Sequence, residues 1–293
     1  MAVPPSSDGQ VIVLDPTKPN DIASAKGIDN SGDVVGYELP NKAPVNIERA
    51  LIWRNGGKAQ DITSTSIFPG GMAALAVNKV SGEVVGIGFT SAPINNETHM
   101  FTYVNGQTVD LGPTTANVTP IAINDSGVML VNFTNGEQAI YSNGTFTPIA
   151  QVPNATVTAN AINKSGVVVG EIDSGTNTLV PHAGLYINGV WTDLGTLSGA
   201  ARGTRAVSIN SSGQILGMAA GNAIYKPDIG VPTMSCILRD GVWVELNSLI
   251  PTNSGFNLNL SRPVSINDAG QILINTKVAS NNGYKNAVLL TPK

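Results

Sequence analysis

The side chains best equipped for chemistry are few in this sequence and widely scattered. His99 and His182 are the only histidines, and neither stands near Cys236, the only cysteine. A single cysteine excludes an intrachain disulfide and a cysteine-based zinc site. Within the apolar run Met234–Leu238 its thiol reads as a small, inert hydrophobe. No Ser-His-Asp order, glycine-rich phosphate loop or paired-carboxylate motif is present, so no catalytic residue is assigned. A series of Asx residues (Asp29, Asn78, Asn124, Asn163, Asn210, Asn267) recurs before short Ser/Gly links. They could ring a channel as ligands, but each turn offers at most two carboxylates, where calcium takes about 6 to 8 oxygens. The expected role is local: each side chain accepts a backbone N–H two residues on and fixes a turn. No metal or cofactor is expected.

The composition limits the classes of partner. Charged residues make up 12% of the 293, the formal net charge is -4, and the 16 Lys and Arg occur singly. There is no basic stripe to neutralise phosphates or anionic lipid, which argues against nucleic acid and membrane surfaces as partners. No apolar run approaches the ~18 residues of a membrane span, so no membrane insertion is expected. The chain carries 32 Gly and 30 Asn, residues that populate tight turns with positive φ and disfavour a helical protein.

The elements that must position these groups come from an internal repeat. An apolar residue, Asx, a short link, Gly and a second apolar run occur six times, as in Ile28-Asp-Asn-Ser-Gly-Asp-Val-Val-Gly36 and Ile162-Asn-Lys-Ser-Gly-Val-Val-Val-Gly170. The link glycines Gly32, Gly82, Gly127, Gly166, Gly213 and Gly270 are 50, 45, 39, 47 and 57 residues apart, the period of propeller blades. Each copy reads as strand, tight turn, strand. A third run follows, closed in five copies by Asn-Gly or Asp-Gly, and then a fourth. The sixth copy meets the C-terminus after its third run, while Gln10–Asp15 matches the fourth-strand pattern ahead of the first copy. The sequence therefore predicts one all-β domain over 1–293: a six-bladed propeller of four-stranded antiparallel blades, with the N-terminal strand completing the last one. The approximate blades are 22–64, 72–113, 119–150, 158–197, 205–250, and 262–293 with 10–15. Trp53, Tyr103, Tyr141, Tyr186, Leu238 and Leu290 share one third-strand position and are expected to pack between blades. Trp191 and Trp243 are expected to cover the outer edge.

The repeat resembles the HAF family of bacterial extracellular repeats, whose unit runs Ile-Asn-x-x-Gly-x-Val-Val-Gly, His-Ala-Phe-Leu-Trp-x-x-Gly and Asp-Leu-Gly. The likeness covers nearly the whole chain. His99-Met-Phe101 and His182-Ala183 carry the His-Ala-Phe element, and Arg49, Gln138, Ser235 and Asn286 stand at the histidine position elsewhere. The resemblance implies a secreted or surface-exposed propeller with no assigned reaction. The start Met1–Gly9 lacks the basic and apolar segments of a signal peptide, so the chain is either cytosolic or carries Met1 in place of a leader.

Loop lengths supply the functional gradient. First-to-second and third-to-fourth turns are short and uniform, whereas the second-to-third and blade-to-blade links vary and project from the opposite face. Variable loops on a rigid scaffold are where binding residues tend to lie. This face carries the segments Glu38 to Glu48, Ile87 to His99, Glu171 to His182, Ala219 to Thr233 and Asn247 to Ser261. Arg205 and Arg262 occupy one repeat position and are expected side by side on its rim. With Lys26, Arg202 and His182 they form the expected ligand-binding set, suited to a carboxylate or sulfate. The leading reading is a non-catalytic, monomeric binding module for a glycan or a partner protein. The alternative is a polysaccharide hydrolase or lyase at the mouth of the central channel.

Overall fold

A computed structural model describes residues 10–40, 48–90, 98–113, 118–174, 180–221, 233–250, 258, 262–277 and 284–292. Six separate four-stranded sheets stand around a common axis, each an antiparallel meander. The chain is a six-bladed β-propeller. Among the described residues the only helical segments are two 3₁₀ turns, Arg54–Gly56 and Leu246–Leu249.

The innermost strands of blades one to six are Ile22–Ile28, Met72–Val77, Thr119–Ile123, Thr156–Ile162, Thr204–Ile209 and Arg262–Ile266. The second strands are Val34–Leu39, Val84–Phe89, Met129–Asn132, Val168–Asp173, Ile215–Ala220 and Ile272–Lys277. Outer strands follow through two-residue turns in which Asn105, Asn143, Asn188 and Asp240 adopt left-handed φ of 50°, 48°, 51° and 48°, each followed by a positive-φ glycine. That geometry matches the right-handed twist of a hairpin and explains the Asn-Gly and Asp-Gly dipeptides.

The ring closes as the sequence predicts. Gln10–Leu14 lies along the third strand of blade six with Gln10 opposite Thr291 and Leu14 opposite Ala287. Leu14 is fully buried in a cluster that joins blade six to blade one with Ala25, Leu51, Trp53, Leu273 and Leu289. The indole Nε1–H of Trp53 donates to the carbonyl of Asp15 at 2.7 Å. Arg49 bonds Asp21 and the fully buried Glu38, which also accepts from the backbone N–H and hydroxyl of Thr17. This seam therefore combines apolar burial with a buried charge network in which both carboxylates meet one guanidinium.

Hydrophobic clusters sit between neighbouring blades, and the third-strand position contributes Trp53, Tyr103, Tyr186 and Leu290 to their buried members. Tyr141 and Leu238 pack against two further clusters while partly exposed. Trp191 and Trp243 bridge blades at the rim, donating through Nε1 to Ala150 and Leu194 at 2.9 and 3.0 Å.

One regularity explains the glycine of the Val-Val-Gly phrase. Every innermost strand carries a β-bulge, with Lys26, Leu75, Ile121, Asn160, Val207 and Val264 as the extra residues. The bulge drives the inner backbone toward the second strand. A Cβ on Gly36, Gly86 or Gly170 would overlap the carbonyl oxygen of Ser24, Ala73 or Thr158. In four blades an alanine lies opposite this glycine, as Ala25 opposite Gly36. Blades three and six instead pair Pro120 with Val131 and Pro263 with Ile274.

Candidate functional site: the central channel and its variable-loop mouth

The bulges decide what the channel presents. Lys26, Ile121, Asn160, Val207 and Val264 line an axial cavity of about 60 Å³, joined nearer the tight turns by Lys79, Ser208 and Ser265. Most of the lining residues are aliphatic, but polar atoms make up the larger part of the exposed wall, and the charged residues among them are two lysines and no carboxylate.

At the tight-turn end the Asx residues form a hydrogen-bonded ring. The expected local turns are present in four repeats, where Oδ1 of Asp29, Asn78, Asn124 and Asn163 accepts the backbone N–H two residues on at 2.9 to 3.0 Å. Oδ1 of Asn210 and Asn267 instead accepts the N–H four residues on, at 2.8 and 2.9 Å. The same side chains also do something the local pattern does not reveal. The Nδ2 of Asn78, Asn124, Asn163, Asn210 and Asn267 donates to the Asx carbonyl of the next blade, at 2.9, 3.2, 3.3, 3.1 and 2.7 Å. Asp29 is the exception, because a carboxylate has no proton to give. Burial, followed by the charge of Asp33, pushes its carboxyl above the ordinary value, against hydrogen bonds from Asp33 and Ser31 and the charge of Arg54.

The residues after the Asx ring bridge the channel. Lys79 of blade two reaches the carbonyl of Ile209 in blade five, directly across the axis. Ser211 donates to Asp268 and Asp125, and Asn30 donates to Asp268. Burial pulls the Lys79 ammonium down to about 8, although Asp268 and Asp125 oppose the change. Burial alone would raise Asp268, but N–H and O–H donors from Ser211, the Asn30 amide and the Lys79 charge outweigh it and leave the carboxyl low.

At the variable-loop end, Lys26 lies over the Tyr37 ring, 5.2 Å from its centroid. Its ammonium is pulled down by burial and by Arg262, and pushed up by Glu48. Burial raises Glu48, and burial together with the Glu48 charge raises the Tyr37 hydroxyl. Lys26 of blade one, Arg262 of blade six, Tyr37 and Glu48 thus form one electrostatically coupled group.

The other members of the sequence-predicted set are placed as follows. Arg205 shares the repeat position of Arg262 but pairs with Glu171 of the preceding blade at 3.4 Å. Arg202 is exposed on the blade-four-to-five link and its N–H bonds Ala220. His182 sits at the outer part of blade four, its Nδ1 2.7 Å from Asp193. His99 repeats this in blade two with Asp110 at 2.9 Å. In both pairs the carboxylate also accepts a glycine N–H, from Gly195 and Gly112. The His of the third strand and the Asp of Asp-Leu-Gly are therefore partners in one outer-blade clamp. Most of the variable segments, 41–47, 91–97, 175–179, 222–232, 251–257 and 259–261, lie outside the described residues. Cys236 is fully buried and its thiol is pushed up to about 12 by burial and then by Glu245, which suits an inert packing role. Among the described residues no three His, Cys, Asp or Glu side chains gather as a metal site, and no helix is long and apolar enough to cross a membrane.

No family model matches the sequence, and no curated protein matches it. Solved structures match the fold. TolB from Acinetobacter baumannii aligns with a TM-score of 0.56 at 16% identity over 90% of this chain, which spans 65% of the TolB chain. A protein of unknown function from Dyadobacter fermentans DSM 18053 aligns at 0.56 and 12% identity, covering 97% of this chain and 98% of its own. YCF48 bound to D1 peptide aligns at 0.52 and 12% identity, covering 99% and 98%. These likenesses establish the propeller architecture.

Proposed function

We propose that the chain is a non-catalytic binding module that engages an acidic glycan at the variable-loop mouth of its channel. The observation that carries this reading is the meeting of Lys26 and Arg262, from the first and last blades, at the one end of the axis where loop length varies. Lys26 and Arg262 repel each other while Glu48 partly offsets Lys26, so the mouth keeps one cation in excess, and an anionic group on a ligand gains charge-assisted hydrogen bonds there. Arg205, already neutralised by Glu171, supports the edge of the site, with Arg202 and His182 further out on the same face. The HAF resemblance and the low charge support a secreted or surface-exposed location.

A second reading is favoured by one specific feature. Lys26, Tyr37 and Glu48 are mutually coupled and all shifted by burial, and such groups cluster at catalytic sites. On this reading the mouth is a polysaccharide hydrolase or lyase site. One experiment separates the two: an array of neutral, uronate-bearing and sulfated oligosaccharides, each positive spot then followed for release of reducing ends. Binding of acidic glycans without release supports the module. Release promotes the enzyme. Binding of neutral glycans alone, or of none, overturns the acidic-glycan reading, and silence directs the search to a partner protein.

A further inference from the structure

We infer that the axial well beneath this mouth is a seat for one small oxyanion, a carboxylate or sulfate group, held between Lys26 and Lys79. The inference rests on the variable-loop face being the binding face, and it adds what the channel itself recognises. A cavity of about 60 Å³ compares with about 30 Å³ for the liquid share of one water, so it holds roughly two waters and suits one small anionic group. Its two charged lining residues are both cations, and its other polar lining side chains are Asn160, Ser208 and Ser265. Each of those three is differently engaged. Asn160 gives Nδ2–H to the carbonyl of Ala206, the Ser208 hydroxyl accepts the N–H of Ile266, and Ser265 is buried in its strand.

The lysines are not satisfied in the same way. An ammonium has three donors, and Ile209 takes one from Lys79. Lys26 faces the Tyr37 ring. The carboxylates that face these lysines, Asp125 and Asp268 for Lys79 and Glu48 for Lys26, do not line the cavity; Arg262 adds a further cation near Lys26. The well is thus a partly open space with a lysine toward each end, whose spare N–H donors can make charge-assisted hydrogen bonds to an anion. A bound anion favours the charged form of both lysines, so Lys79 should titrate higher when the seat is filled. Affinity should fall as pH rises through the unliganded Lys79 value of about 8.

The test uses the full chain with sodium sulfate and sodium acetate as probes and sodium chloride at matched ionic strength as control. It is read by calorimetry and by NMR of the lysine Cε and Nζ signals. The expected result is saturable binding of at least one oxyanion, with the Lys79 midpoint moving up. Lys79→Met and Lys26→Met should each weaken binding about tenfold or more, the loss expected for a charge-assisted contact of about 1.5 to 3 kcal/mol. If Lys79→Met fails to fold, Lys26→Met carries the comparison alone. Responses that track ionic strength equally in chloride, or affinities unchanged in both variants, overturn the proposal. Oxyanion binding with a silent glycan array would reject the glycan reading and keep the seat. Glycan binding without a saturable oxyanion would reject the seat alone.

Discussion

Replacing Asp29 by Asn should stabilise the protein, because it supplies the one donor that the Asx ring lacks. Asp29 is 3% exposed, and its Oδ1 already accepts the N–H groups of Ser31 and Asp33, bonds that an Asn oxygen makes equally well at Asn124 and Asn163. The other oxygen points at blade two, 3.4 Å from the place a Cβ would take on Gly82. An amide there is in the position from which the other five reach the next blade. A net intramolecular hydrogen bond contributes about 0.5 to 1.5 kcal/mol. At about 2 to 4 °C per kcal/mol for domains approaching this size, the melting temperature at neutral pH should rise by roughly 1 to 6 °C. The pH dependence gives the sharper check. Asp29 has a native titration raised by burial, so its protonated form favours the folded state. That contribution is fully present below its ordinary value of 3.8 and is lost as pH rises through the raised native value. Protonated Asp29 can also donate to Asn78. The advantage of the variant should therefore be smallest near pH 4 and grow toward neutrality. Thermal melts of both proteins across that window decide the matter. A variant no more stable than the parent at pH 7, or a gap that does not change with pH, would refute the ring account.

Other consequences can be measured separately. Gly170→Ala should destabilise by about 1 to 3 kcal/mol, the usual range for overpacking, because its Cβ meets the carbonyl of Thr158; equal melting in urea would count against the bulge explanation. Deleting residues 1–15 removes the strand paired with Ala287–Thr291 and the buried Leu14, so the melting temperature should fall sharply, and an unchanged value would contradict closure by this strand. Cys236, buried and pushed up to about 12, should resist iodoacetamide in the native protein at pH 8 and react after denaturation; rapid native labelling would show an accessible thiol.

The architecture was legible because a propeller writes itself into period and turn chemistry. The Asn-Gly turns need left-handed backbone, and the sixth copy visibly lacks a strand that Gln10–Leu14 can supply. The bulges were not legible, since Ala25-Lys26-Gly27 reads like any alternating strand and only the shift between Ala25 and Gly27 shows Lys26 as the inserted residue. Their trace in the sequence is the Ala–Gly pairing exchanged for Pro–Val and Pro–Ile, which becomes visible once the register is known. The site followed the same rule. Repeat position put Arg205 and Arg262 in equivalent places, but it did not reveal that the preceding blade offers Glu171 to Arg205. Lys79 and Lys164 follow their Asx residues identically, yet Lys79 spans the channel to Ile209. Contacts across an axis depend on which blade stands opposite, and a linear motif does not encode that.

On the proposed function, the cationic mouth formed by Lys26 and Arg262 recognises an acidic ligand. The most direct test of that recognition is the affinity of the parent, Lys26→Met and Arg262→Ala proteins for the strongest uronate-bearing or sulfated oligosaccharide on the array, measured by calorimetry at low and high salt. About tenfold or greater weakening is expected in each variant, as for loss of a charge-assisted bond, together with a shallower salt dependence and a retained cooperative melting transition. Affinity and salt dependence equal to those of the parent in both variants would contradict the proposed function.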